Sequence, residues 1–452
     1  MKTSGELYRL GSDKTFPRPF QIQSYSGLLN FPGIPASSID TPSGKRAITE
    51  PIVDAIVVPT IRTAEHLRSA VQLAADSRCH LIAVYTDRPP AEFPAVLDGL
   101  RPGRVTLLTV GSDTTNDLLD LGASLPQSLR SSCAIDISRK RNLGLLIGHV
   151  CGWTRMLFLD DDIRRLNVTK LSSAAALLDD YPVVGLQVNK YPDASVVGHA
   201  RRLTGRRQEP FVSGGSLLVN PQLLNGYFAP IYHEDWLCII NHVREGQVAI
   251  GGSVAQMPYL PFTTPERAKL EEFGDILLSG LLWLLHAHTA KRAQDDDHPV
   301  EDGEFWREAT KQRFWKQILH QRTALLADIT VRLAGKDFAG PSPLPSLDAA
   351  QQRLGELKPA DFASFTGKWL TSLSEWRGRL SVLPRIDLAD KVRAIEKALV
   401  ELGLSPVVRA HAVSSSRQDP ASESGRAGTF ASRFGRRTGA DSRRRFGAQN
   451  EP

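Results

Sequence analysis

Apolar residues in the first part of the chain come in short runs, each closed by a polar residue or a proline. Ile52 to Val58 is one such run, ending at Pro59-Thr60. Leu67, Ala70, Val71 and Ala74 follow at i, i+3, i+4 and i+7, the spacing of one helix face. His80 to Thr86 is a second run, closed by Asp87 and the turn at Pro89-Pro90, and Val105 to Val110 is a third. Strand-like runs alternating with a helical period predict βαβ units, an α/β fold and a mostly parallel, Rossmann-like sheet. Sheets of that kind bind ligands at the carboxyl ends of their strands. Pro59, Thr60 and Asp87 fall there.

The next pattern is the one the rest turns on. Met156-Leu157-Phe158-Leu159 predicts a strand buried on both faces, and Asp160-Asp161-Asp162 follows without a spacer. Ahead of it, Ser138 is read as an N-cap, with Leu143, Leu146, Ile147 and Val150 as the apolar face of the helix it opens. Val183 to Val188 predicts another strand, Gly205 to Pro210 a polar loop, and Phe211 to Val219 a strand interrupted by Gly214 and Gly215. Glycine inside a strand signals a bulge or a close backbone approach. Tyr232-His233-Glu234-Asp235-Trp236 opens a helix.

Thr264-Pro265 is a further helix start, and that helix is expected to reach about His288, buried or lying against a membrane surface. Asp295-Asp296-Asp297 follows no strand and reads as a solvated turn. From Glu304 to about Leu404 the pattern is helical, with breaks at 340–343 and near Pro384, and Trp306, Trp315, Trp369 and Trp376 are expected to pack these helices together. The organisation read from this pattern is an irregular arm over 1–50, packing on the core, and an α/β domain over 51–262. A helical region over 263–405 and a disordered Arg/Ser/Gly-rich tail over 406–452 complete it.

Composition changes the picture in one respect. The net charge of +6 hints at a polyanionic partner, but the stretch from Arg409 onward holds nine arginines against Asp419, Glu423, Asp441 and Glu451. That leaves about +1 for everything before it, so the basic balance belongs to the tail. Cys79, Cys133, Cys151 and Cys238 are scattered with no C-x-x-C pair, which favours reduced thiols over a zinc site or disulfides. No apolar leader precedes the arm and no apolar run approaches the ~20 residues of a spanning helix, so a cytoplasmic location is expected, with peripheral membrane contact open.

Candidate chemistry centres on the acids. Adjacent carboxylates repel, and a cation relieves the repulsion; hard oxygen ligands suit Mg²⁺ or Mn²⁺. Asp160 and Asp162 are the two residues placed to share such an ion, with a solvated acidic turn as the plain alternative. Arg139-Lys140-Arg141, read as the first turn of a helix, opposes the helix dipole unless an anion is bound there; a solvated basic turn is equally consistent. Glu234 and Asp235 at a helix start serve equally as ordinary caps.

Taken in order, "VPTIR", "YTD", "RKRNLG", "FLDDDI", "VSGGSLLV" and "HEDW" resemble the GT-A fold glycosyltransferases, especially those like family 2, over roughly residues 50–260. The resemblance implies a GT-A nucleotide-diphospho-sugar transferase sheet and a metal-dependent transferase with a DxD motif. It would move a sugar from a UDP- or GDP-linked donor to an acceptor hydroxyl that the sequence does not name. It implies donor nucleotide contacts from Pro59, Thr60, Arg62, Asp87, Lys140, Arg141, Asn142, Asp160 and Asp161. Mn²⁺ or Mg²⁺ would sit on Asp160 and Asp162; some relatives add a downstream histidine, for which His286 and His288 are candidates here, although a helix face explains them equally well. Gly214, Gly215, Ser216 and Trp236 would lie near the donor sugar or acceptor. Inverting transfer is implied, with Asp235 as base and Glu234 beside it, although retaining enzymes share the fold and need no base. Two alternatives are a sugar-phosphate nucleotidyltransferase, against which stands the glycine-free loop Pro59 to Thr63, and a non-catalytic protein that uses the Arg-rich tail on nucleic acid or another anionic partner. With a nearly neutral body, no specific nucleic acid is expected.

Overall fold

Phe158 and Val57 sit side by side in parallel strands, and Ile82 flanks Val57 on its other side. All three are fully buried. They mark the centre of the sheet in a computed structural model that describes residues 28–32 and 50–411, apart from 90–92, 97–102, 113–115, 122–125, 127–128, 130–131, 190–194, 207–211 and 293–301. Two short pairings, Leu7–Arg9 with Thr15–Pro17 and Asp40–Thr41 with Gly44–Lys45, are also described. The expected loop at 205–210 and the acids at 295–297 thus lie largely outside the described residues, as does the chain beyond 411.

The strands of the main sheet are β1 (Ala55–Pro59), β2 (His80–Thr86), β3 (Val105–Val110), β4 (Met156–Leu159), β5 (Ile163–Arg164), β6 (Val183–Asn189), β7 (Val212–Val219), β8 (Val248–Gln256) and β9 (Val408–His411). They lie in the order β9-β3-β2-β1-β4-β7-β6-β8-β5. β3, β2, β1 and β4 run parallel. β7 runs against both β4 and β6, β8 is parallel to β6, and β5 and β9 are antiparallel edges. The fold is α/β with a Rossmann-like core, and its sheet is mixed: six strands share one direction, while β5, β7 and β9 run against them. Apolar periodicity reports burial, not strand direction, so the reversal of β7 was not legible in it.

Helices cover both faces: α1 (Arg68–Ser77), α2 (Ser132–Val150), α3 (Val168–Ala176), α4 (Val196–Leu203), α5 (Glu234–Arg244), α6 (Pro265–Arg292), α7 (Asp302–Ala309), α8 (Gln312–Leu333), α9 (Leu344–Glu356), α10 (Pro359–Leu380) and α11 (Lys391–Glu401). Side chains alternate across a strand. Met156 and Phe158 accordingly join the core under α2 and α5, whereas Leu157 and Leu159 join the core under α1 and α3. Each such side chain contributes about 1.5–3 kcal/mol by leaving water. The helical region continues the first core: Trp306 meets Trp369 at 5.1 Å, Trp315 stacks on Phe362 at 5.0 Å, and Trp376 lies 6.1 Å from Tyr227. Among the described residues no helix is long and apolar enough to cross a membrane; α6 buries Leu277, Leu281, Leu284 and Leu285 within the protein instead.

Three boundaries differ from expectation. α2 starts at Ser132, so Ser138 lies inside the helix and its hydroxyl donates to the Ala229 carbonyl at 2.7 Å. The tail was expected to begin at 406, yet Val408–His411 pairs antiparallel with β3 and buries Val408. β8 was not anticipated; Gly251 and Gly252 break its apolar run in sequence. The arm packs on the core where it is described: Leu28 and Leu29 are buried, and the Asn30 backbone bonds to Val248 and Ile250 of β8.

Candidate active site

β4 ends at Leu159, and the alternation of its side chains carries into the acids. Asp160 continues the Phe158 side and meets α2, where Arg141 Nη2 donates to Asp160 Oδ1 at 2.8 Å. Asp161 turns to the end of β1: Thr60 Oγ1 donates to its Oδ2 at 2.5 Å and Arg62 Nη1 to its Oδ1 at 2.9 Å. Among the described residues the Asp162 carboxylate receives only a long hydrogen bond, from Gln256 Nε2 at 3.3 Å, with Arg62 Nη2 3.8 Å away. Its Oδ1 is buried and, among the described residues, has no hydrogen-bond partner. Burial, with Asp160 next to it, raises the Asp162 carboxyl above its ordinary range.

Arg141 is the hub. Its guanidinium bridges Asp160 and Glu234 and lies 5.6 Å from the Phe228 ring centroid. Against the burial that disfavours its charge, Asp160, Glu234 and Asp235 hold it protonated. Burial, together with Asp235, pushes Glu234 up to about 8 against the pull of Arg141. Burial thus acts on both groups, opposed at Arg141 by three carboxylates and reinforced at Glu234 by Asp235. Asp235 is oriented by backbone, accepting from Gly214 N at 2.6 Å and Trp236 N at 2.8 Å.

The paired glycines of β7 make room for this arrangement. A Cβ on Gly214 would collide with the Arg141 guanidinium and come within 2.9 Å of Asp235 Cβ. One on Gly215 would come 2.6 Å from Asp160 Oδ2. Of the two readings of glycine in a strand, close approach is the one realised here, and what approaches is Arg141 and Asp160.

Other residues singled out from sequence take different places. The first-turn reading of 139–141 is overturned, because these cations lie well inside α2 and each has protein partners. Arg139 pairs with Asp120 at 3.0 Å, and Lys140 Nζ donates to Asp136 at 2.6 Å and to the Thr60 carbonyl at 3.0 Å. Asn142, expected to face a donor, is fully buried and clamps Phe228, donating to its carbonyl at 2.9 Å and accepting from its N–H at 2.8 Å. Ser216 donates to the Leu186 carbonyl at 2.9 Å, and Trp236 is packed in the core. His288 lies edge-on to Phe305 at 5.4 Å, which is where its helix face puts it. Asp87, exposed at the end of β2 with φ +61°, accepts from Ser112 N at 2.8 Å, which holds its carboxyl below the ordinary range.

Asp136 was missed by sequence reading. It accepts from Thr86 Oγ1 at 2.6 Å as well as from Lys140, tying β2 to α2 and, through Lys140, to Thr60. Its i, i+4 relation to Lys140 was the available signal. A cleft of about 510 Å³ opens on the α1 side, lined by Arg68, Gln72, Arg164, Arg165 and Asn167 among others. Leu159 and Ile163 reach it, but none of Asp160, Asp161 and Asp162 does, so it is not the acidic centre.

No protein-family model matches the chain, and no curated protein matches it at a significant level.

The donor set can be tested for a metal on its own terms. Among the described residues no group of three or more His, Cys, Asp or Glu is arranged to hold an ion, the number a closed zinc or calcium cage takes at the least. An open site is different: Mg²⁺-like ions rest on one or two carboxylates and complete their shell with water and substrate phosphate. The unpartnered Asp162 Oδ1, beside Asp160 and in surroundings with excess negative charge, fits that arrangement.

Proposed function

We propose that this chain is a metal-dependent glycosyltransferase of the GT-A kind, moving a sugar from a nucleoside-diphosphate sugar to an acceptor hydroxyl. The observation that carries the reading is the buried, unpartnered Asp162 Oδ1 at the carboxyl edge of a central strand, next to Asp160. In support, β1 and β4 are parallel neighbours at the centre of the sheet, and Thr60, Arg62, Asp87 and the three aspartates all stand at that carboxyl edge. This is where such sheets take their ligands.

Asp160 and Asp162 would hold Mn²⁺ or Mg²⁺ together with the donor diphosphate, and the ion's contribution when bound is to stabilise charge on the leaving phosphate. Asp161 carries no metal in this reading; it locks the Thr60–Arg62 loop over β1, which leaves Thr60, Arg62 and Asp87 to line the nucleotide pocket. Pro59 ends the strand and sets that loop. Arg141 holds Asp160 in place and balances Glu234. Asp235, aimed by two backbone N–H groups, keeps lone pairs for the acceptor hydroxyl and takes its proton. Gly214 and Gly215 keep this face of β7 low enough for Arg141 and Asp160 to meet over it beside the substrate.

Calorimetry with UDP and GDP, with and without Mn²⁺, on the full chain and on Asp162→Asn tests the reading. Metal-dependent binding of one diphosphate, lost in the variant while its melting curve is retained, is the expected result. Equal binding with and without metal, or none to either nucleotide, would overturn it.

A further inference from the structure

His233 stands immediately before Glu234 and adopts φ +68°, a left-handed conformation that an ordinary side chain enters at a cost of about 1–2 kcal/mol. It occupies the N-cap position of α5 but makes no capping bond. Glycine would suit that backbone better, so the imidazole has a use elsewhere. Its Nε2 lies 3.4 Å from Asp275 Oδ1 on α6. The other oxygen of Asp275 accepts from Ser195 Oγ at 2.9 Å and from Arg322 Nη2 at 2.7 Å. Arg322, on α8, is completed by a two-pronged pair with Glu272 at 2.7 and 2.6 Å. Both Arg322 and Glu272 are buried.

α6 also presses on this turn through its backbone, since a Cβ on Gly274 would collide with the Tyr232 carbonyl. Two successive residues of α6 therefore meet two successive residues ahead of Glu234. Buried ion pairs contribute little net stability, because desolvation offsets their attraction. Stability alone is thus a poor reason for a buried Asp275–Arg322–Glu272 chain that ends on a strained histidine.

We propose that Asp275 is a positioning residue, which acts through His233 to hold the Glu234–Asp235 pair against Arg141 and Gly214. The proposal rests on the transfer reading above only for what those acids do; the mechanical link stands on the contacts themselves. It gives the helical region a role: α6 and α8 form the back wall of the acidic centre. Charged groups around Asp275 are Arg322 on α8, Arg201 on α4, Glu271 and Glu272 on α6, and His233 itself.

Hydrogen exchange of the full chain provides the test, on Asp275→Asn and His233→Gly. The glycine variant relieves the backbone strain while deleting the imidazole, so it keeps the experiment alive if the asparagine variant folds poorly. Both variants should exchange the amides of Gly214 and Trp236, the two bonded to Asp235, about tenfold faster, as loosening of a local unit predicts. Asp275→Glu should restore at least part of the protection. If exchange rises only along α6 and α8, with Gly214 and Trp236 unchanged, Asp275 is a helix-packing residue and the proposal fails. Diphosphate binding by the same wild-type preparation judges the transfer reading separately: its absence would defeat that reading and leave the exchange result to decide this one.

Discussion

Arg141 Nη2 and Asp160 Oδ1 meet at 2.8 Å, the guanidinium lying against Gly214 and the carboxylate against Gly215. Gly215 makes the contact possible, since an added methyl would stand 2.6 Å from Asp160 Oδ2. Gly215→Ala should displace the Asp160 carboxylate and cost about 1–3 kcal/mol in urea unfolding through overpacking. Mn²⁺-dependent UDP or GDP affinity should fall at least about tenfold in the same variant, equivalent to 1.4 kcal/mol. Unchanged affinity with reduced stability would separate Asp160 from the ligand.

Arg141 bridges two acids, and a lysine cannot, because one compact ammonium does not reproduce a forked pair of contacts. Arg141→Leu should destabilise the chain by about 3–5 kcal/mol, the usual penalty for stranding a buried charge, and Arg141→Lys should recover only part of it. Chemical denaturation at neutral pH measures both.

Asn142 clamps the Phe228 backbone from two sides. Asn142→Ala leaves a buried N–H and carbonyl unpaired and should cost about 1–3 kcal/mol. Diphosphate affinity should stay within about twofold, below the 1.4 kcal/mol of a tenfold change. A residue facing a donor would show the reverse: a loss of affinity with little change in the melt.

Glu234 links stability to pH. Its carboxyl is raised from 4.5 to about 8 in the fold, so the native state binds the proton more tightly than the unfolded chain does. The associated stability is fully present below about 4.5 and is lost as pH rises through about 8. The slope is at most about 1.4 kcal/mol per pH unit for one proton. Glu234→Gln should flatten this limb in denaturation curves taken from pH 4.5 to 8. A parallel pair of curves would show that Arg141 keeps Glu234 ionised throughout.

His80 and His199 work the other way. Burial lowers each from 6.5 to about 3, so the unfolded chain takes the extra protons and stability falls as pH drops below 6.5. His80 sits between β strands against Thr106 at 2.8 Å, and His199 meets the Tyr259 hydroxyl at 2.7 Å. His199→Gln should make the melting temperature less sensitive to acid between pH 6.5 and 4. An unchanged acid limb would locate the effect elsewhere.

β9 sets where a truncation can be made. Ending the chain after Pro406 removes Val408 from its buried place beside β3, a loss of about 1.5–3 kcal/mol. Ending it after His411 should leave the melting temperature of the full chain. Comparing the two melts checks the boundary directly.

What the sequence determined by itself was local. Apolar runs such as Met156 to Leu159 and Leu81 to Tyr85 read as buried strands, because four or five successive apolar residues closed by polar ones are too short for an ordinary buried helix. Their ends placed Thr60, Asp87 and the aspartates along one edge, and their spacing set Asp160 and Asp162 together as the pair able to share an ion. The tryptophans of the helical region announced their packing in the same way. The partners of the charges were not legible. Three consecutive cations at 139–141 looked alike in sequence, yet one reaches Asp120, one Asp136 and Thr60, and one Asp160 and Glu234. The direction of β7, the clamp of Asn142 on Phe228 and the strained turn at His233 likewise depend on residues tens of positions away. Periodicity records whether a side chain leaves water; only the tertiary structure decides which opposite charge, carbonyl or missing Cβ it meets once it has done so.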